Sequence, residues 1–269
     1  MNKLLLAFGL LFASGCSHAP ETGRSQFIAM SSSQEIRLGQ EAYTEILKEE
    51  KTITSGANHE MVQRVGARVA VAADRLYPEA VKGYKWKFAL IKDKDMVNAW
   101  ALPGGKCAVY TGLLPVTENE DALAIVMAHE VAHVIARHGA ERASHSMATA
   151  VVAGVAMSEM NSTDRTIVLA AYGLGVALPF SRTQETEADQ IGLYISADAG
   201  YDPREAIPLW RRMGNEGKKA PAEFLSTHPT SETRIKQLQG WMPRAMMYYD
   251  NAVAHEAVLK RKNQSENTM

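Results

Sequence analysis

The stretch AIVMAHEVAHVIARHG, residues 124–139, places two histidines and a glutamate in what otherwise reads as an apolar helix. His129 and His133 are four residues apart, so on a helix both imidazoles project from one face and can bind one metal ion. Glu130 is rotated from His129 by about 100°, where its carboxylate can reach a water at the metal without being a ligand. The motif predicts the helix of a zinc hydrolase, with a possible local break at Gly139. The alternative is a pair of hydrogen-bonded core histidines.

The composition is that of an ordinary globular protein, with 46% hydrophobic and 22% charged residues in 269. The 29 basic and 30 acidic side chains give a formal net charge of −1. Because no basic excess is present, a nucleic-acid partner is not expected.

The first sixteen residues, MNKLLLAFGLLFASGC, have the organisation of an export signal: one lysine, an apolar run and then small residues. The run is too short to span a bilayer as a mature helix. Its end resembles the cleavage motif of bacterial lipoproteins, with an alanine where a leucine is usual, so Cys16 is the expected lipidation site. Ser17, where an aspartate would favour the inner membrane, predicts a periplasmic protein anchored to the outer membrane. A plain secretory peptide, cut at the same place, is the alternative.

Residues 17–31 are polar and rich in small residues, and we expect them to be a tether. A folded domain is predicted over residues 32–243, beginning at a capping box formed by Ser32 and Glu35, and a C-terminal helix with a polar tail over residues 244–269. Apolar periodicity predicts further helices at residues 58–76, 203–214, 231–241 and 244–261.

Alternating apolar residues predict three short strands in YKWKFALI, NAWAL and KCAVYTG, which begin at residues 84, 98 and 106. The predicted fold is therefore α+β and mainly α-helical, with a small three-stranded antiparallel sheet beside the histidine helix. The strand containing Cys107, Ala108, Val109 and Tyr110, or its neighbour, could hold an extended peptide by backbone hydrogen bonds. The alternative is a sheet that only packs. Cys107 is expected to be a buried, inert thiol.

The region of residues 147–180 is strongly apolar, yet each of its apolar runs is too short to span a membrane. We interpret it as buried or interfacial, and a lid, a membrane contact, a dimer face and static core all remain open.

A third metal ligand is predicted on the helix after that region. Glu185 and Asp189 are four residues apart and share a helix face, and Glu185 follows His133 by 52 residues. A carboxylate there would complete a site of two histidines and one glutamate with one zinc position open to water. Asp189 could then hold the outer nitrogen of a ligand histidine. Glu187, between them, is expected to point to solvent.

Four motifs in this order, NAWALPGGKCAVYTGLL, HEVAHVIARHGAER, SRTQETEAD and THPTSETRI, resemble those of peptidase family M-48, the zinc metallopeptidases that include HtpX and the CAAX prenyl proteases. The resemblance covers about residues 32–238 and is strongest to the periplasmic branch typified by LoiP and BepA. It implies a gluzincin-like fold, one zinc ion per chain and Glu185 as the third ligand. It also implies that His228 can approach the zinc and restrain the protease, with Arg234 as a residue that orients the loop or binds a nearby carboxylate. The bottom-up alternative for His228 is a residue that only caps the next helix.

The resulting prediction is a zinc endopeptidase in which Glu130 is the general base. Its expected substrates are unfolded or misassembled envelope proteins, with the outer-membrane assembly machinery as a further possible partner. One alternative is a normally latched protease that acts as a chaperone or assembly factor. Another is a catalytically inactive, zinc-stabilised domain, which is disfavoured because Glu130 would have no task in it.

Overall fold

The computed structural model describes residues 16–152, 179–214, 222–228 and 233–266. Residues 1–15 of the predicted export signal, most of the apolar region at 147–180 and the end of the polar tail lie outside the described residues. In the described part of the chain, no helix combines the length and the apolar character needed to cross a membrane.

The α+β, mainly helical class is confirmed. The helices of the described residues are α1 (Ser32–Glu49), α2 (Ala57–Leu76), α3 (Leu114–Thr117), α4 (Glu120–Ile135), α5 (His138–Val152), α6 (Arg182–Asp198), α7 (Ala206–Met213), α8 (Ala222–Thr227) and α9 (Arg234–Glu266). Two short 3₁₀ turns, Thr111–Leu113 and Pro203–Glu205, precede α3 and α7.

The main sheet differs from the predicted one in strand number and direction. Its strands are β3 (Thr52–Ile53), β4 (Lys87–Ile91), β5 (Ala99–Leu102) and β6 (Lys106–Tyr110). They lie in the order β3-β4-β6-β5, and β4 pairs with β6 in parallel, so the sheet is four-stranded and mixed. The prediction assumed that strands consecutive in the sequence pair with each other. In the structure β5 and β6 form an antiparallel hairpin, and β4 pairs with β6 and not with β5.

The segment at residues 17–31 is not a free tether in the structure, and this expectation is corrected. Two strands, β1 (Cys16–His18) and β2 (Ser25–Phe27), form an antiparallel hairpin. The side chain of Gln26 is buried and donates a hydrogen bond to the carbonyl of Ala136. Polar residues that looked suited to solvent are here the partners of buried polar groups in the domain.

Two helix boundaries also differ from the expected ones. The first helix is capped by Ser31 and Gln34, one residue before the predicted pair. At the other end of the chain, α9 runs without interruption from Arg234 to Glu266 and contains Pro243, where two helices and a domain boundary were expected. A proline removes one helical hydrogen bond, and here the helix continues past it.

The histidine helix α4 is the centre of the core. Every residue from Ala122 to Ile135 is buried, as expected for a helix that is apolar on all sides. It packs against α6 on one side and against β5 and α2 on the others. Its polar side chains must therefore find partners inside the protein.

The helix break falls two residues before the predicted position at Gly139. The α4 helix ends at Ile135, and Arg137 adopts a left-handed conformation with φ of 55°. The Arg137 guanidinium compensates by bonding to the carboxylate of Glu35 and the carbonyl of Met30. The turn starts α5 at His138, which brings His138 back beside His133.

Helices α4 and α6 approach closely at Gly192. A β-carbon placed there would lie 2.8 Å from the backbone nitrogen of His129 and 2.9 Å from its α-carbon. The absence of a side chain at Gly192 therefore sets the distance between the two helices at the level of His129.

Candidate metal centre

Four buried side chains direct their donor atoms to one place between three helices. His129 and His133 come from α4, Glu185 comes from the first turn of α6, and His228 follows the end of α8. The four donor atoms all lie within 4.8 Å of one another.

Four separations between individual donors are close to those of a tetrahedral metal site. His129 Nε2 lies 3.1 Å from His133 Nε2 and 3.3 Å from His228 Nδ1. Glu185 Oε1 lies 3.0 Å from His228 Nδ1 and 3.4 Å from His133 Nε2. A zinc ion with bonds of about 2.0–2.1 Å in a tetrahedral arrangement would hold its donors about 3.3 Å apart. The geometry therefore fits zinc.

The charges around these donors also favour a cation. Burial lowers the pKa of His129, but its contacts with Asp189 and Glu185 outweigh burial and raise the pKa to about 9. Burial would raise the pKa of Glu185, whereas the nearby His228 side chain and bonds from the histidines hold this pKa well below its usual range. A site that stabilises a proton on His129 and a negative charge on Glu185 can stabilise a metal cation in the same place.

Glu130 lies beside the donors without being one of them. Its side chain is buried, and within the described residues its Oε1 atom has no hydrogen-bond partner. That atom lies 3.5 Å from His228 Nε2. Burial raises the pKa of the Glu130 carboxyl, although His228 and His129 oppose this effect. A carboxylate with a free oxygen and a raised pKa is suited to taking up a proton.

His228 occupies the position that the sequence left open to water. Its ring stacks on Phe224 with centroids 4.4 Å apart and lies 5.2 Å from the ring of Phe180. With 3% of its surface exposed, His228 is held among the donors and does not cap α9 from outside. Residues 229–232 of the THPTSETRI motif lie outside the described part of the chain.

Arg234 and Asp189 surround the outer side of His129. The Arg234 guanidinium donates to Asp189 at 2.5 and 3.1 Å and to Glu185 Oε2 at 2.8 Å. Asp189 Oδ1 in turn lies 3.1 Å from His129 Nδ1, a close polar contact that is not an aligned hydrogen bond. Trp210 lies beneath Arg234, 3.9 Å from ring centroid to guanidinium carbon. These contacts turn the Nε2 atom of His129 toward the other donors.

A second set of contacts, absent from the sequence-based prediction, surrounds the outer side of His133. His133 Nδ1 lies 2.9 Å from His138 Nδ1, and His138 Nε2 lies 2.9 Å from Glu187 Oε2. Glu187 also accepts hydrogen bonds from Arg24 and Thr22. The expectation that Glu187 points to solvent is therefore wrong, since its side chain is only 1% exposed. Burial would raise its pKa, but bonds from His138, Arg24 and Thr22 lower it to about 2.

Sequence reasoning assigned no role at the site to His138, Glu187 or Arg24, for two reasons. His138 is five residues after His133, which on an unbroken helix is a different face, and only the turn at Arg137 brings it back. Glu187 and Arg24 are 163 residues apart, and no local spacing connects them. The only signal in the sequence was a histidine next to a glycine at the end of an apolar helix.

The strand predicted to hold an extended peptide is an interior one. Because β6 pairs with β4 on one side and with β5 on the other, Cys107, Ala108, Val109 and Tyr110 have no free backbone edge. The neighbouring strand β5 is the last strand of this sheet within the described residues and packs next to α4, and its four residues are buried. Cys107 is a free, buried thiol whose pKa is raised by burial.

Comparisons with known proteins agree with this chemistry. A family model described as "Peptidase family M48" matches residues 57–242. The mitochondrial metalloendopeptidase OMA1 of Schizosaccharomyces pombe is 34% identical over 251 residues, which are 91% of this chain and 72% of that protein. The protein of the same name in Saccharomyces cerevisiae is 32% identical over 265 residues, 93% of this chain and 76% of its own. A bacterial relative, the beta-barrel assembly-enhancing protease of Escherichia coli, is 26% identical over 83% of this chain and 47% of its own length.

Proposed function

The chain belongs to peptidase family M48 and is a zinc metalloendopeptidase, and we propose that it hydrolyses unfolded or misassembled proteins of the bacterial cell envelope. We assign His129, His133 and Glu185 as the zinc ligands and Glu130 as the general base. The observation that carries this assignment is the convergence of four buried donors, all within 4.8 Å of one another, beside a Glu130 carboxylate oxygen that has no hydrogen-bond partner among the described residues.

When bound, zinc supplies a Lewis acid that polarises a peptide carbonyl and makes water more acidic. Glu130 accepts a proton from the attacking water while the oxygen of that water forms a bond to the carbonyl carbon. Glu130 then delivers that proton to the leaving nitrogen as the carbon–nitrogen bond breaks. The outer edge of β5, the last strand of the described sheet, would hold the substrate extended by backbone hydrogen bonds, a mode of binding that requires an unfolded segment.

A latched state of the same enzyme is the second candidate, and the position of His228 supports it. A zinc site with four protein donors is closed, whereas a catalytic site keeps one position open. His228 Nδ1 lies 3.0 Å from Glu185 and 3.3 Å from His129, so it competes with water or substrate for the fourth position. We propose that His228 restrains the protease until a substrate displaces it. In this latched form the protein would act as a chaperone or assembly factor.

The envelope location is supported by the sequence around Cys16 and Ser17 and by the bacterial relative, whose name connects it with β-barrel assembly. We propose a periplasmic enzyme anchored to the outer membrane by lipid on Cys16, with the outer-membrane assembly machinery as a partner. The yeast relatives are mitochondrial, so the compartment needs its own experiment. That experiment is metabolic labelling with palmitate of the parent and of Cys16→Ser in a bacterial host, and only the parent should be labelled. Label in both proteins, or in neither, would contradict the anchor.

The assignment of the site is tested by zinc content and casein cleavage of the parent, Glu130→Gln and Glu185→Ala. Glu130→Gln should keep one zinc per chain and lose cleavage, because the base is removed and the ligands remain. Glu185→Ala should lose both. Substantial cleavage by Glu130→Gln, or full zinc in Glu185→Ala, would show that the roles are assigned wrongly.

The latch is tested with His228→Ala. If His228 restrains the site, this variant should keep its zinc and cleave casein or itself faster than the parent. Slower cleavage with loss of zinc would instead make His228 a required fourth ligand and would rule out the latch.

A further inference from the structure

A buried network that the hydrolysis itself does not use connects the metal centre to the N-terminal hairpin. It runs from His133 through His138 and Glu187 to Arg24, and the heavy-atom separation is 2.9 Å at each of these three contacts. His138 and Glu187 are no more than 1% exposed, so solvent does not replace either partner. Buried polar groups that form a complete chain of hydrogen bonds fix one another's orientation.

The chain of contacts allows only one arrangement of protons on the two neutral imidazoles. His138 Nε2 faces a carboxylate, so it carries the proton of that ring and leaves His138 Nδ1 as an acceptor. His133 Nδ1 must then donate to it across 2.9 Å. His133 Nε2 is left with its lone pair, and this is the atom that faces His129 and Glu185. The network therefore selects the tautomer of His133 that can bind a metal through Nε2.

Which atoms donate and which accept in this network depends on the carboxylate of Glu187, and the hairpin holds Glu187 in place. Arg24 donates to both carboxylate oxygens of Glu187, from Nε at 2.9 Å and from Nη2 at 3.0 Å. Thr22 donates to Oε1 at 2.6 Å. Arg24 also donates to Glu141 at 2.6 and 2.8 Å, which fixes the guanidinium between α5 and α6. Without these donors the carboxylate of Glu187 would be a buried charge held by His138 alone among the described side chains.

We propose that Arg24 is a positioning residue of the metal centre, which sets the orientation and tautomer of His133 through Glu187 and His138. The hairpin of residues 16–27 is then part of the apparatus that holds zinc, although it precedes the matched peptidase region at 57–242. This inference rests on the proposed role of His133 as a ligand. Partners one step outside a metal ligand typically change metal affinity by about 10–100-fold when they are removed.

The test is the zinc affinity of the full chain, measured by competition with a chromophoric chelator, together with the visible absorption spectrum of the cobalt-substituted protein. Arg24→Ala and Glu187→Gln should each weaken zinc binding by about 10–100-fold and change the cobalt spectrum. The double variant should be no weaker than the more affected single variant, because both changes interrupt one path.

Arg244→Ala is the matched control. Arg244 donates to Glu21 in the same hairpin at 2.6 Å and lies over the rings of Tyr194 and Tyr248, but it has no hydrogen bond to Glu187. Its loss therefore disturbs hairpin docking and this aromatic packing without interrupting the path to His133. Its zinc affinity should equal that of the parent. Thr22→Val removes one hydrogen bond to Glu187 while keeping the shape of the side chain, and it covers the case in which Arg24→Ala does not fold. A smaller loss of affinity in the same direction is expected.

Three results would overturn the proposal: parental zinc affinity in Arg24→Ala, an equal loss in Arg244→Ala, or losses that multiply in the double variant. Full zinc affinity in His133→Ala would instead contradict the proposed site itself. Because that variant is measured in the same assay, failure of the ligand assignment and failure of the positioning role give different results.

Discussion

The two histidines of α4 that we propose as zinc ligands are supported in different ways on their outer sides. His129 contacts Asp189 directly, and Asp189 is clamped by Arg234. His133 reaches its carboxylate only through a second histidine, and that carboxylate is clamped by Arg24. We call these two sets of contacts arms: the His129 arm consists of His129, Asp189 and Arg234, and the His133 arm of His133, His138, Glu187 and Arg24. Each arm ends in a carboxylate paired with an arginine, but the His133 arm is one residue longer.

The difference between the arms lies in where their parts come from. The His129 arm takes Asp189 from the same helix as the ligand Glu185, so one helix positions both. The His133 arm combines a helix break, a neighbouring helix face and the N-terminal hairpin. The short arm thus joins α4, α6 and α9, whereas the long arm joins α4 and α6 through α5 and the N-terminal hairpin.

The largest effect is expected for Arg234→Ala in the short arm. Arg234 is 4% exposed and bonds two carboxylates, so its loss leaves Asp189 and Glu185 buried without their cation. Removing one partner of a buried ion pair costs about 3–5 kcal/mol, to be measured as the free energy of unfolding in urea. Arg75→Ala is the control, because Arg75 pairs with Asp198 at the other end of α6 but is 53% exposed. Its expected cost is about 0–1 kcal/mol, and equal costs would show that burial does not govern the pair.

A smaller effect, shared by both arms, is expected for Gly192→Ala. The added β-carbon would meet the backbone of His129 and force α4 and α6 apart, which separates Glu185 from both histidines. Overpacking of this kind costs about 1–3 kcal/mol, and zinc content should fall with stability. Gly240→Ala, in a helix with open space around the site of the new atom, should be neutral or stabilising by up to about 1 kcal/mol. Parental zinc content in Gly192→Ala would mean that the helix spacing does not control the site.

The relative strength of the arms is measured by zinc affinity in Asp189→Asn and Glu187→Gln. Asp189 contacts its ligand histidine directly, and Glu187 acts through His138, so Asp189→Asn should give the larger loss within the roughly 10–100-fold range. A larger loss in Glu187→Gln would reverse the ranking and make the long arm the dominant support.

The smallest effect is expected for Glu141→Gln. Glu141 shares Arg24 with Glu187 and accepts bonds from Gln184 and Gln26, but it has no contact with His138. Zinc affinity should therefore fall by less than the roughly tenfold that marks the loss of a partner of the ligand itself. A loss as large as that in Glu187→Gln would show that the hairpin acts through general docking and not through the path to His133.

The comparison also shows which parts of the molecule the sequence could predict. His129, Glu130, His133, Glu185 and Asp189 are related by helical spacing within two segments, and the structure places these side chains close together. The class of fold followed from periodicity in the same way. The direction of β4 and β6, the buried state of Glu187 and the docking of residues 17–31 depend on packing between segments far apart in the chain, which periodicity does not report.

The metal donors come from α4, from α6 and from the residue that follows α8, which only the folded chain brings together. In an unfolded chain His129 and His133 are still neighbours, but Glu185 and His228 are not held near them, so zinc binds the native state almost exclusively. By mass action, each tenfold rise in free zinc above the dissociation constant then adds about 1.4 kcal/mol to the stability of the protein. The lifetime of this enzyme should therefore follow the zinc supply of its compartment, and metal starvation would remove the protease by unfolding it.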